Sequence, residues 1–314
     1  MAKTTTDFLG ILPSLEVLPF FSVDLKQSDN GKTSGAGLPF EMKAHSSYGD
    51  IARNMLTRKI MGGVIPWEIF ISDVLALPGQ RTCWQAPLFL QECPTELALR
   101  ESVFRAFYPP ASASRSKLPT KLTVGVESLN SLTKAQMQEW LRHWGDNESI
   151  ELSFCMLPMD LLIKALQAET IDAMIAATPW GMYAETAGFG HVDTRFIPGK
   201  YAQKVVVLCH RDFVEANDDL ANTLRKQIAA ARMKLRDPVE FCDAASRMSG
   251  CGKPWLEAEL LSLAAKRHSY SRMKKDIVPD VKILIEELAS LGTHSVLPAH
   301  ISPDEQVARL LHAA

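Results

Sequence analysis

The 314-residue chain has no uncharged apolar stretch close to the roughly 18–20 residues that a membrane helix needs. The best candidate, residues 64–77, is broken by Pro66, Glu68 and Asp73. There is almost no excess of charge: 34 Lys+Arg against 36 Asp+Glu leave a net charge of −2, too little to hold nucleic acid by an overall field. Six cysteines, at 83, 93, 155, 209, 242 and 251, include no Cys-x-x-Cys, and no His pair stands at zinc-ligand spacing. Dinucleotide fingerprints, phosphate-binding loops and Gly-x-Ser-x-Gly elbows are all missing, so neither a metal, a cofactor nor a catalytic residue is expected. At the N-terminus the apolar segment 8–12 is stopped by Pro13, short of what a secretory leader requires. The expected location is the cytoplasm, or the periplasm if a leader has been removed.

What is present fits a folded α/β protein. A hydrophobic fraction of 46% fills a core, and the length allows about two domains. In the first half, short apolar strands (8–12, 40–44, 64–65, 84–90) alternate with helical patterns, one starting after Ser46-Ser47 and one spanning 67–77. The stretch 108–120 is rich in Pro and Ser and reads as a connection between lobes or a surface loop. Strands follow at 122–126, 150–154, 171–177 and 205–208, with helices from Thr133, Pro158 and Pro179-Trp180 between them. Met137, Trp140, Leu141 and Trp144 form a clean amphipathic face. Helices are expected over 220–235, 238–249, 255–267 and 278–291, and these need an earlier sheet to pack on. Alternating strands and helices imply a mainly parallel sheet in each half.

Two strand-to-helix turns carry small polar residues: Ser46-Ser47-Tyr48-Gly49 and Ser128-Leu129-Asn130-Ser131-Leu132-Thr133. Either turn alone reads first as a plain helix cap; the two together raise the reading of an anion site made of open N–H groups and hydroxyls.

Residues 43–225 resemble the nitrate- and bicarbonate-binding proteins of ABC transporters. Four segments carry the likeness. Ser47-Tyr48-Gly49-Asp50-Ile51-Ala52-Arg53-Asn54 is similar to that family's helix start, with Tyr48 where Trp is usual, and Trp84-Gln85-Ala86 to its Gly-Gln-Ala strand. Leu141-Arg142-His143-Trp144 is similar to its Leu-Arg-Tyr-Trp helix, and Ile171-Asp172-Ala173 through Thr178-Pro179-Trp180 to its Ile-Asp-Gly through Glu-Pro-Trp turn.

The resemblance implies a type II periplasmic-binding-protein fold: two α/β lobes with a ligand cleft between them. Lobe I is expected over 1–114, with 212–314 packing back onto it, and lobe II over 115–211. It further implies a site for a small oxyanion such as nitrate, nitrite or bicarbonate. Tyr48 would be aromatic wall and donor, Gln85 an amide donor and Lys204 the positive charge, with Ser47, Thr133 and Thr178 adding hydroxyls. Two positions depart from the family: residues 133–137 contain no His, and Thr178 stands where the family has Glu, which leaves a different small anion or a degraded site as alternatives. The expected role is a binding protein, not an enzyme, working with an ABC permease or, as a cytoplasmic sensor, with a regulatory protein. The alternative is an enzyme on the same fold, a lyase or a relative of those that build the thiamine pyrimidine.

Overall fold

A computed structural model describes residues 8–22, 25–27, 33–35, 38–75, 77, 79–80, 83–111, 118–129, 131–144, 150–196, 201–217, 219–249 and 261. The helices expected at 255–267 and 278–291, the histidines beyond 267, Cys251, Asn130 and residues 112–117 of the Pro/Ser-rich stretch lie outside them, Leu261 apart. The chain forms two compact units, Met1–Glu92 with Lys204–Ala314, and Cys93–Gln203.

The first unit is built on a five-stranded sheet of order β4-β1-β5-β12-β6. β1 (Phe8–Ile11) lies parallel to both β4 (Glu41–Ala44) and β5 (Gly62–Pro66). β12 (Gln203–His210) runs antiparallel to β5, with Val205 opposite Pro66 and Cys209 opposite Gly62. β6 (Trp84–Cys93) starts where β12 ends, since the Arg211 N–H donates to the Cys83 carbonyl at 2.8 Å. A small hairpin pairs β2 (Leu25–Gln27) with β3 (Thr33–Gly35). Helix α2 (Tyr48–Leu56) lies on the sheet through Ile51 and Met55. It approaches so closely that a Cβ on Gly63 would run into Ile51. Gly62 and Gly63 open the strand, two residues ahead of the expected 64–65. After β5, α3 (Trp67–Ile69) passes into a π-helical turn, Phe70–Leu75. α1 (Leu18–Ser22) receives α9 (Leu220–Lys234) and α10 (Pro238–Ser249), so these two helices pack on the first unit.

The second unit has its own sheet, of order β11-β7-β10-β8-β9. β8 (Lys121–Val126), β9 (Glu151–Met156) and β10 (Ala173–Ala177) are parallel. β7 (Thr95–Leu99) and the short β11 (His191–Val192) complete the sheet in antiparallel fashion. Around it stand α4 (Glu101–Phe107), α5 (Thr133–Arg142), α6 (Met159–Gln167) and α7 (Trp180–Thr186). A core of Leu97, Leu99, Phe107, Val124, Met137, Trp140 and Ile175 holds these layers together. α8 (Arg211–Glu215) follows β12 in the first unit.

The division thus falls at 92/93 and 203/204, not at 114/115 and 211/212. β7 and α4 gave no strand–helix signal of their own in the sequence, yet β7 pairs with β10 along its whole length, which draws residues from 93 onward into the second unit. The described ends of the Pro/Ser-rich stretch, 108–111 and 118–120, then fall within that unit rather than at its boundary. Each sheet is mixed rather than wholly parallel. Among the described residues no helix is long and apolar enough to cross a membrane.

Candidate functional site

Parallel strands deliver their following turns to one edge of a sheet, and ligands of open α/β folds sit at that edge. In the first unit it carries the turns after β1, β4 and β5. Lys204 joins them, because antiparallel pairing sets the start of β12 beside the end of β5. Lys204 also shares its face with Leu208, which lies opposite Gly63, the glycine beneath α2. It is half-buried and makes no ion pair with a described residue. β1 and β12 flank β5, so their ends stand roughly 10 Å apart.

The turn after β4 does what its sequence asks. Ser47 is the N-cap of α2, its Oγ accepting from the Asp50 N–H at 3.1 Å, while Ser46 donates to the Asp50 carboxylate at 2.8 Å. Asp50 in turn holds Arg53 at 3.2 Å. Beside this turn is His45, buried, with Nδ1 3.4 Å from the Asn54 amide. Burial and the nearby Lys43 charge push its pKa below the usual His value, against an upward pull from Asp50.

Tyr48 is where the structure departs from expectation. Its ring is buried, at 3% exposure, and its hydroxyl donates to Oε1 of Glu16 at 2.9 Å. The Ser14 hydroxyl lies 2.5 Å from the same oxygen and 2.8 Å from the Leu12 carbonyl. Glu16, 1% exposed, comes from the turn after β1, and Glu68, after β5, is buried at the same edge. Tyr48 therefore spends its donor on a carboxylate of the protein. Glu16 was not singled out from the sequence. The signal was there: one charge set in the apolar run Leu15-Glu16-Val17-Leu18-Pro19-Phe20-Phe21, where a burial site excludes charge unless it is held.

Gln85 stands apart from this group. The Cys83–Arg211 hydrogen bond and the edge-on contact of Trp84 with His210 at 5.4 Å put Gln85 beside Cys209, at the start of β5. That is the opposite edge of the sheet, roughly 16 Å along the strand from Lys204. The structure thus brings Ser47, Tyr48 and Lys204 to one edge and leaves Gln85 at the other.

In the second unit Thr133 and Thr178 follow β8 and β10 and reach the corresponding edge. Their hydroxyls are used locally. Thr133 opens α5 as its first residue instead of capping it, with Oγ1 2.6 Å from Ser131 Oγ, whose hydrogen goes to the Ser128 carbonyl at 2.8 Å. Thr178 sends both its N–H and its Oγ1 to the Pro94 carbonyl, each at 2.9 Å. The start of α7 is occupied as well: Glu96 accepts the Met182 N–H at 3.0 Å, taking the place an external anion would take. Glu127, after β8, is a further buried carboxylate. Gln136, on α5, accepts from Thr95 at 3.4 Å and donates to the Tyr201 carbonyl at 2.7 Å. The motif residue Asp172 is structural, bound by Arg100 at 2.7 Å and by the Thr123 N–H at 2.7 Å. Among the described residues no three His, Cys, Asp or Glu side chains are placed to hold a metal ion.

A model of the NMT1-like family matches residues 27–249. No curated protein matches the chain. Among solved structures, the ligand-binding component of an ABC-type import system from Staphylococcus aureus, with zinc bound, is 14% identical, covering 96% of this chain and 98% of that one at a TM-score of 0.66. The periplasmic nitrate-binding protein of Synechocystis PCC 6803 is 15% identical over 98% of this chain and 85% of its own, at 0.65. The alkanesulfonate-binding protein of Xanthomonas axonopodis pv. citri, bound to MOPS, is 11% identical over 98% and 99%, at 0.64. Identities this low establish the fold, that of these ABC-type binding proteins, and leave the ligand open.

Proposed function

The chain belongs to the NMT1-like family, and from that premise we propose that it is a solute-binding protein of the ABC-import type, taking a small planar solute at the C-terminal strand edge of its first sheet. The observation that carries this is the convergence of Tyr48 and Lys204 at one edge from the two separate chain segments of the first unit. A buried aromatic wall packs a flat face, and an ammonium with no described partner ion attracts an electron-rich oxygen. The names of the similar structures support the reading, since all three are binding components. Its output would pass to a permease.

The oxyanion class implied by the resemblance supplies the first ligands to try. A thermal-shift screen with nitrate, nitrite, bicarbonate, a short alkanesulfonate, urea and acetamide tests the proposal. A solute at about 100 times its dissociation constant stabilises the fold by roughly 2.7 kcal/mol, a visible shift in Tm. No shift with any of them would reject a small planar ligand.

A further inference from the structure

Each five-stranded sheet has two edge strands, and three of these four edges carry a block against further pairing. β4 bears Glu41 and Lys43, β6 contains Pro87, and β11 is only two residues long. Charge, proline and shortness are the devices that keep a sheet edge from adding a strand. β9 has none of them past its first residue, Glu151. The Glu151 N–H donates to the Thr120 carbonyl and the Leu157 N–H to the Val126 carbonyl, so the odd-numbered residues turn their backbone groups toward β8. The N–H and C=O groups of Leu152, Phe154 and Met156 point the other way, and among the described residues nothing bonds to them. Leu152 and Phe154 pack against the second unit's core while only partly buried, and Met156, on the same face of the strand, is 59% exposed.

We propose that β9 is a self-association strand, pairing antiparallel with β9 of a second copy of this chain about a two-fold axis at Phe154. An axis normal to the sheet keeps every side chain on its own face, so residues of like parity stand opposite one another. Leu152 then meets Met156 of the second copy, Phe154 meets its own counterpart, and Ser153 meets Cys155. Every outward N–H and C=O of Leu152, Phe154 and Met156 finds a partner, and the exposed Met156 is covered. The strand's one charge, Glu151, is held by Lys121 at 3.2 Å and falls opposite Leu157, outside the paired residues. No like charges are opposed, and no charge enters the centre of the pairing. A second β9 matches this edge by symmetry, donor against acceptor and apolar against apolar, which an arbitrary strand does not. The pairing involves only the second unit and is independent of the solute reading.

Sedimentation velocity and hydrogen exchange on the full chain are the test. A dimer should appear as concentration rises, and exchange in a peptide covering 151–157 should slow with it. Met156→Lys sets a charge against Leu152 of the second copy and should weaken the dimer at least tenfold. Met233→Lys, at an equally exposed methionine on α9, should leave it unchanged. Ser153→Cys should give a reducible cross-linked dimer through Cys155 of the second copy. Adding Cys155→Ser should remove that cross-link, because the two 153 positions stand roughly 8 Å apart, too far for a disulfide. A chain that stays monomeric up to about 1 mM overturns the proposal. So does a dimer that Met156→Lys leaves intact, that Met233→Lys weakens equally, or that forms without slower exchange at 151–157. Failure of Ser153→Cys to cross-link, or a cross-link that survives Cys155→Ser, overturns the register centred on Phe154.

Discussion

Tyr48 gives its phenolic hydrogen to Glu16 Oε1 at 2.9 Å, across 32 positions of sequence. The bond ties the turn after β4 to the turn after β1, so it matters for stability. Hydrogen bonds to charged groups contribute about 1.5–3 kcal/mol. Tyr48→Phe should lower unfolding free energy by about that amount in guanidinium chloride. A double-mutant cycle with Glu16→Gln should show coupling above about 0.5 kcal/mol. Additive single mutants would mean the two side chains act independently.

Glu96 stands in for an external anion at the start of α7. Glu96→Ala leaves the Met182 N–H without its acceptor and should cost about 1–2 kcal/mol. Gly181→Ala tests the same corner by crowding, because a Cβ there would sit 2.7 Å from the Glu96 Cβ. Denaturation midpoints check both. An unchanged midpoint for either would contradict the close packing of α7 on β7.

Gln136 holds both chain passages that enter and leave the second unit, through Thr95 and through Tyr201. Gln136→Leu keeps the volume and removes both bonds. Hydrogen exchange should rise in peptides covering 94–97 and 201–204 and stay unchanged in β8 and β9. Uniform acceleration across the unit would instead mark a general loss of stability.

Two histidines make stability depend on pH. Burial, and then Lys43, hold His45 below the usual value of 6.5, with Asp50 opposing. Burial, and then Arg58, do the same for His210, with Asp212 opposing and Arg211 adding to the decrease. The unfolded chain therefore binds more protons than the folded chain below pH 6.5. Their contribution is complete above that pH and is lost as the pH falls through the depressed folded values. Guanidinium midpoints should decline between pH 7.5 and 5.5, and His45→Gln should flatten the decline. A slope unchanged by that substitution would remove His45 as a cause.

The sequence carried the α/β alternation well because strands such as 122–126 and helices such as the one bearing Met137, Trp140 and Leu141 bury one patterned face. It carried less of the topology. β7 has no helix between it and β6, only Pro94, so nothing local announced that Cys93–Gln203 begins a second sheet. For the site, Ser47 and Tyr48 were legible from capping chemistry and motif. Gln85 was placed by motif alone, and strand direction, which no local pattern encodes, sent it to the far edge. Thr133 and Thr178 have the right residue type in the right turns, but the Thr133 hydroxyl is bonded to that of Ser131 and the Thr178 hydroxyl to the Pro94 carbonyl. The apolar run around Glu16 marks it as a buried charge, but its partner Tyr48, 32 positions away, is not encoded locally.

The most direct measurement is calorimetric titration of the wild type, Lys204→Met and Gln85→Ala with whichever screened solute gives the largest thermal shift. Binding at the edge that holds Tyr48 and Lys204 predicts at least a tenfold loss for Lys204→Met and no change for Gln85→Ala, which lies at the other end of the sheet. Full affinity in Lys204→Met, with binding abolished in Gln85→Ala, would contradict it.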